Sequence, residues 1–125
     1  MSNGYLKIEV STARPELLIA RLLERAVGSI RSAREADPTC DAVTRTRAIA
    51  KALDIISELR GALDFDHGQE LAQNLDAVYE FVNHRLLQAS VDKADIALAE
   101  ALRPLEIVSS GWLEMCNMND PELAR

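Results

Sequence analysis

A chain of 125 residues, 48% apolar and 27% charged, is the size of one domain and buries a core without metal or disulfide staples. Fourteen basic residues stand against twenty acidic ones, a formal charge of −6. Lysine is scarce and the arginines are interleaved with acids, so no basic block is present to displace phosphate counterions, which excludes nucleic acid as a partner. No apolar run approaches the ~20 residues that span a bilayer. Asn3, Lys7 and Glu9 interrupt any signal-peptide pattern, so a cytoplasmic protein without membrane insertion is expected.

Ala, Leu, Glu and Arg dominate, with only five Gly and four Pro, and this favours helix over sheet. Residues 1–12, MSNGYLKIEVST, read as a short arm whose apolar Tyr5, Ile8 and Val10 are too few to fold alone. A first helix follows. Ser11 or Thr12 suits its N-cap, Pro15 its first turn, and Glu16 the positive end of its dipole. Its stripe of Ile19, Leu22, Leu23, Ala26, Val27, Ile30 and Ala33 continues to about Glu35, and Ala36-Asp37-Pro38-Thr39 stops it. The second helix is predicted from about Asp41 to Leu63, with Ile49, Ala52, Leu53, Ile56, Leu59 and Leu63 inward and Ile55 widening the stripe.

Asp64 to Gly68 break the chain, with Asp66 or His67 able to cap the third helix. That helix runs to about Ser90, its apolar face formed by Leu71, Leu75, Val78, Val82, Leu86 and Ala89. After a turn at Asp92 to Asp95, the fourth buries Ile96, Leu98, Leu102, Leu105, Val108 and Trp112. Pro104 removes a backbone bond and clashes with the preceding turn, about 3 kcal/mol in an unadapted site, which predicts a kink or two shorter helices. Gly111 weakens the same segment, and residues 118–125 read as a frayed tail. The fold expected is all-α: an antiparallel up-down four-helix bundle over residues 13–117.

Catalytic chemistry is hard to place on this chain. The glycines are scattered singly, so there is no phosphate loop. Neither His67 nor His84 follows a Glu by three residues, as a di-iron bundle requires, and Glu80 with His84 reads as a solvated pair. Ser109 and Ser110 lack the strand-turn-helix that exposes a nucleophile. Cys40 and Cys116 have no ligand-spaced His, and in a bundle they fall at opposite ends, about 30 Å apart for a 20-residue helix. They are read as reduced, partly buried thiols. No catalytic, metal or cofactor site is expected, and the chain reads as a binder rather than an enzyme.

The string LDAVYEFVNHRLLQA, from Leu75 to Ala89, resembles the third helix of the flagellar export chaperone FliS family in Leu75, Tyr79, Phe81, Arg85-Leu86 and Ala89. Further matching pieces occur in order along the chain. They are Tyr5, then Ser11-Thr12-Ala13-Arg14-Pro15-Glu16-Leu17, then Ala52, Ile55-Ile56, Leu59 and Leu63-Asp64, then Asp95 and Trp112. The first helix departs from the family, with Leu22-Leu23-Glu24-Arg25-Ala26 where Leu-Tyr-Asp-Gly-Ala is common.

The resemblance implies a cytosolic export chaperone that holds the disordered, apolar C-terminal region of flagellin, prevents premature polymerisation and delivers it to the flagellar type III export apparatus. By analogy the export gate and flagellar regulatory proteins are further partners, and the chain is a monomer or weak homodimer. A groove beside the second and third helices, helped by the first, is expected to take the client as helix-in-groove. Its candidate lining is Leu18, Leu22, Ile55, Leu59, Tyr79, Val82 and Leu86, each of which could equally be core; Tyr79 is expected to be a half-exposed phenol with one wet side. Tyr5, Ile8 and Val10 are spaced to cap the vacant groove. Rival readings are a filament-cap type of export chaperone and a helical dimerisation or regulatory module.

Overall fold

The structure, a computed structural model, describes residues 15–119. They form four helices: α1 (Pro15–Glu35), α2 (Ala42–Gly61), α3 (Gln69–Val91) and α4 (Ile96–Asn119). Short turns make successive helices antiparallel neighbours, and α4 returns to pack on α1, so each helix touches two others and none crosses the diagonal. Ion pairs confirm the directions. Arg60 near the end of α2 meets Asp76 near the start of α3, and Arg31 near the end of α1 meets Glu106 in the first half of α4. The bundle therefore has an upper end, with the α1–α2 and α3–α4 turns, and a lower end, with the start of α1, the α2–α3 turn and the end of α4.

The inward stripes are the ones the 3.6-residue period selects. Leu23 and Ile30 of α1, Ile49, Ile56 and Leu59 of α2, Tyr79, Val82 and Leu86 of α3, and Leu98 and Leu105 of α4 are fully buried. At about 1.5–3 kcal/mol for each large apolar side chain removed from water, this one core supplies the driving force for folding. Ala26, Ala52, Ala89 and Ala101 are packed in this core with no exposed surface.

Several positions differ from the periodic reading. Leu71 and Ile96 are exposed rather than inward, because Ala72 in α3 and Ala97 with Leu98 in α4 occupy the inward positions beside them. The fourth helix continues through Pro104 as one element rather than two, held on both sides by buried Ala101, Leu102 and Leu105. It also extends to Asn119, into the residues read as tail. Gly68, not Asp66 or His67, is the N-cap of α3, and no side chain caps it. Cys116 is buried, but Cys40 is exposed in the α1–α2 turn, and neither is in a disulfide. The proposed caps Ser11 and Thr12 and the arm with Tyr5, Ile8 and Val10 lie outside the described residues.

Candidate functional site

At the lower end the helices part enough to leave an apolar recess of about 320 Å³. Ile19 of α1, Leu59 and Leu63 at the exit of α2, Leu71, Leu75 and Tyr79 of α3, and Trp112 of α4 form its walls. Trp112 lies half-buried at this corner, its indole Nε1 donating to the Glu16 carbonyl at 2.9 Å. Cys116, one turn on, donates from Sγ to the same carbonyl at 3.4 Å. Together they lock the end of α4 to the first turn of α1, while the α2–α3 turn forms the rim.

That rim is organised by Asp64. Its Oδ1 accepts the backbone N–H groups of Asp66 and His67, each at 3.1 Å, and its Oδ2 lies 2.8 Å from His67 Nδ1. The bond with His67 holds the Asp64 carboxyl below the usual carboxylate range. Polar groups thus sit at the mouth and apolar ones inside. Tyr79 belongs to the inside. It is 1% exposed, not the half-exposed phenol expected from sequence, and burial pushes its pKa up to about 12, so the ring serves as a neutral wall.

Of the residues expected to line a client groove, Leu59 and Tyr79 reach this recess from beneath. Leu22, Ile55, Val82 and Leu86 are buried in the common core, because the four-helix ring needs two flanks of each stripe, one per neighbour. Leu18 is half-buried against the core. This recess lies at one end of the bundle, where all four helices contribute. Periodicity identified Leu71, Leu75 and Trp112 as apolar-face residues, but the turn that converts them into a recess is invisible to a period. Among the described residues no cluster of three or more His, Cys, Asp or Glu side chains could hold a metal ion. The arrangement suits capture of an apolar side chain or helix end from a partner.

A model of the family described as flagellar protein FliS matches residues 1–119. The chain belongs to the FliS family. It is 36% identical over 107 residues to a flagellar secretion chaperone, FliSB, of Pseudomonas aeruginosa, covering 86% of this chain and 85% of that protein. The flagellar secretion chaperone FliS of Salmonella typhimurium is 32% identical over 107 residues, covering 85% and 79% respectively. The Vibrio cholerae FliS is 26% identical over 114 residues, covering 88% and 84%. No helix among the described residues is long and apolar enough to cross a membrane. As a FliS family member the chain is similar to flagellar secretion chaperones over 85–88% of its length.

Proposed function

We propose that this protein is a cytoplasmic, non-enzymatic export chaperone that binds the disordered C-terminal region of flagellin, prevents its premature polymerisation and hands it to the flagellar export apparatus. The observation that carries this reading is an open apolar recess, walled by Ile19, Leu63, Leu71 and Trp112, on a bundle of the FliS family. An apolar segment that is disordered alone gains most by folding onto a surface of that kind, in the helix-in-groove mode. Ordering the segment costs about 2–5 kcal/mol, so the contact must extend well beyond the recess. No nucleotide cycle is needed, since release follows from handover.

Calorimetric titration with a flagellin C-terminal peptide of about 50 residues tests this; folding onto apolar surface predicts one-to-one binding with a large negative heat-capacity change. Leu63→Asp, at the recess wall, should weaken binding while leaving the bundle folded. A folded protein that ignores the soluble peptide would sink the reading. The arm is proposed to cover the recess when the client is absent, through Tyr5, Ile8 and Val10. Pro15, the first described residue, lies at the same lower end of the bundle as the opening. Deleting residues 2–10 should then raise binding of an apolar dye, and unchanged dye binding argues against a cap.

A further inference from the structure

In α4 the common core ends at Leu105, with Val108 and Trp112 packed against its edge. The helix nevertheless continues for about two turns past Trp112, to Asn119. Two side chains tie this end to α1 through one main-chain atom: the Glu16 carbonyl accepts from Trp112 Nε1 at 2.9 Å and from Cys116 Sγ at 3.4 Å. The second bond is weak, because a thiol is a poor donor. Trp112 is also a wall of the apolar recess, so whatever holds Trp112 sets the width of the opening.

The stretch leading into this attachment is loosely built. Gly111 immediately precedes Trp112, and a Cβ built there meets nothing within 4 Å, so packing does not demand the glycine. Its effect is on the backbone, since glycine favours helix less than any residue but proline. Two turns earlier, Pro104 leaves the Glu100 carbonyl without its helical donor. Open space flanks the same stretch. The recess adjoins Trp112, and a second cleft of about 440 Å³ is lined by Val27 and Arg31 of α1 with Ser109, Ser110 and Leu113 of α4. Residues on both sides of Gly111 therefore border room into which the helix end can move.

We infer that residues 112–119 are a hinged latch on the recess: bending at Gly111 breaks both bonds to the Glu16 carbonyl, carries Trp112 out of the wall and widens the opening. The structure is the closed state. At about 320 Å³ the closed recess lies at the small end of the range for ligand sites, and opening enlarges it. For what enters, the latch rests on the client reading above. A client that needs the open form binds with an apparent affinity reduced by the fraction open, so the latch tunes binding without touching the client.

Cys116 reports the motion, because it is fully buried when the latch is closed. In a Cys40→Ser background it is the sole thiol of the full chain, and its labelling by iodoacetamide is followed as urea is raised. A latch predicts a rate independent of urea at low concentration, merging with global unfolding only near the transition. Gly111→Ala should slow this labelling about two- to fivefold, because alanine favours the closed helix, while the thermal midpoint stays at or above that of wild type. Trp112→Phe, which removes the stronger bond, should speed it about two- to tenfold. Titration with the same flagellin peptide then reads the gate: Gly111→Ala should raise Kd by the factor by which it slows labelling. Labelling that follows global unfolding from zero urea overturns the latch. So does local labelling that Gly111→Ala leaves unchanged, which places the opening beyond Trp112 as simple fraying. Slower labelling with an unchanged Kd overturns the gate. Absence of wild-type binding overturns the client reading and the gating with it, while labelling still decides whether the latch opens.

Discussion

Arg45 is a charged residue in the core, 6% exposed in the first turn of α2. Its guanidinium donates to the carbonyls of Ala89 at 2.9 Å and Asp92 at 3.4 Å, the last acceptors of α3. A helix leaves its final carbonyls without intrahelical donors, and a cation there also meets the negative end of the dipole. Arg45→Ala would leave the buried Ala89 carbonyl without this donor, at about 1–3 kcal/mol, while the part-buried Asp92 carbonyl can turn to water. Urea unfolding should show a loss of about 1–3 kcal/mol, only partly restored by Arg45→Lys, whose single ammonium cannot span both carbonyls. A loss of only a few tenths would mean that water replaces the guanidinium. Tyr79 offers a second residue-scale test. Its folded pKa, about 12, lies above the ordinary 10, so the stability it contributes is complete below pH 10 and is lost as pH rises toward 12. Tyr79→Phe should therefore unfold less readily than wild type in this alkaline window, and parallel losses in the two proteins would refute the assignment.

At the scale of elements, α1 and α4 each carry a residue that disfavours helix. Gly28 lies exposed in the middle of α1, and a Cβ built there meets nothing within 4 Å. Gly28→Ala should thus stabilise by about 0.5–1 kcal/mol through backbone entropy alone. Pro104 deprives the Glu100 carbonyl of its donor four residues on, yet α4 is unbroken because buried side chains on each side hold it in register. Pro104→Ala should restore the bond and raise stability by about 1–3 kcal/mol, read from the shift in urea midpoint at constant slope. No gain would mean that α4 has adapted to the proline. The stripes of all four helices were legible because one period selects them. Arg45 was legible only in part: it lies one turn before Ile49, on the buried stripe, but a charge at that position reads as a solvated flank. Tyr79 was misread for the converse reason, its hydroxyl suggesting water where the ring is buried in the apolar core. Leu71 and Ala72 differ by one residue, and only tertiary packing decides which turns inward.

Across the whole molecule, aspartates hold the corners together. Asp37 in the α1–α2 turn accepts from the backbone of Thr39 at 2.8 Å and of Cys40 at 3.1 Å, and from the Thr39 hydroxyl at 2.7 Å. Asp64 does the same for the α2–α3 turn, and Asp92 accepts from Ala94 N–H at 3.1 Å between α3 and α4. Beside that last turn, Asp95 makes a paired contact with Arg34 of α1 at 2.8 and 3.0 Å, closing the ring at the upper end. Bonds from the Thr39 hydroxyl and then the turn's backbone lower the Asp37 pKa to about 2, and Asp95 is lowered first by its bond from Arg34. Asp37, Asp64 and Asp95 are depressed relative to an unfolded value of about 3.9, so what each contributes is present above that pH and is lost as pH falls through the folded pKa. Solvent around these exposed groups keeps each contribution small, but they act at three corners of one ring. The thermal midpoint should consequently fall between about pH 4 and pH 2. Asp37→Asn with Asp64→Asn should make that fall shallower, since an amide oxygen still accepts the turn's N–H groups but does not titrate. An acid slope unchanged by the double substitution would move the cause away from the turns, to the Arg34–Asp95 closure or to carboxylates elsewhere on the helices.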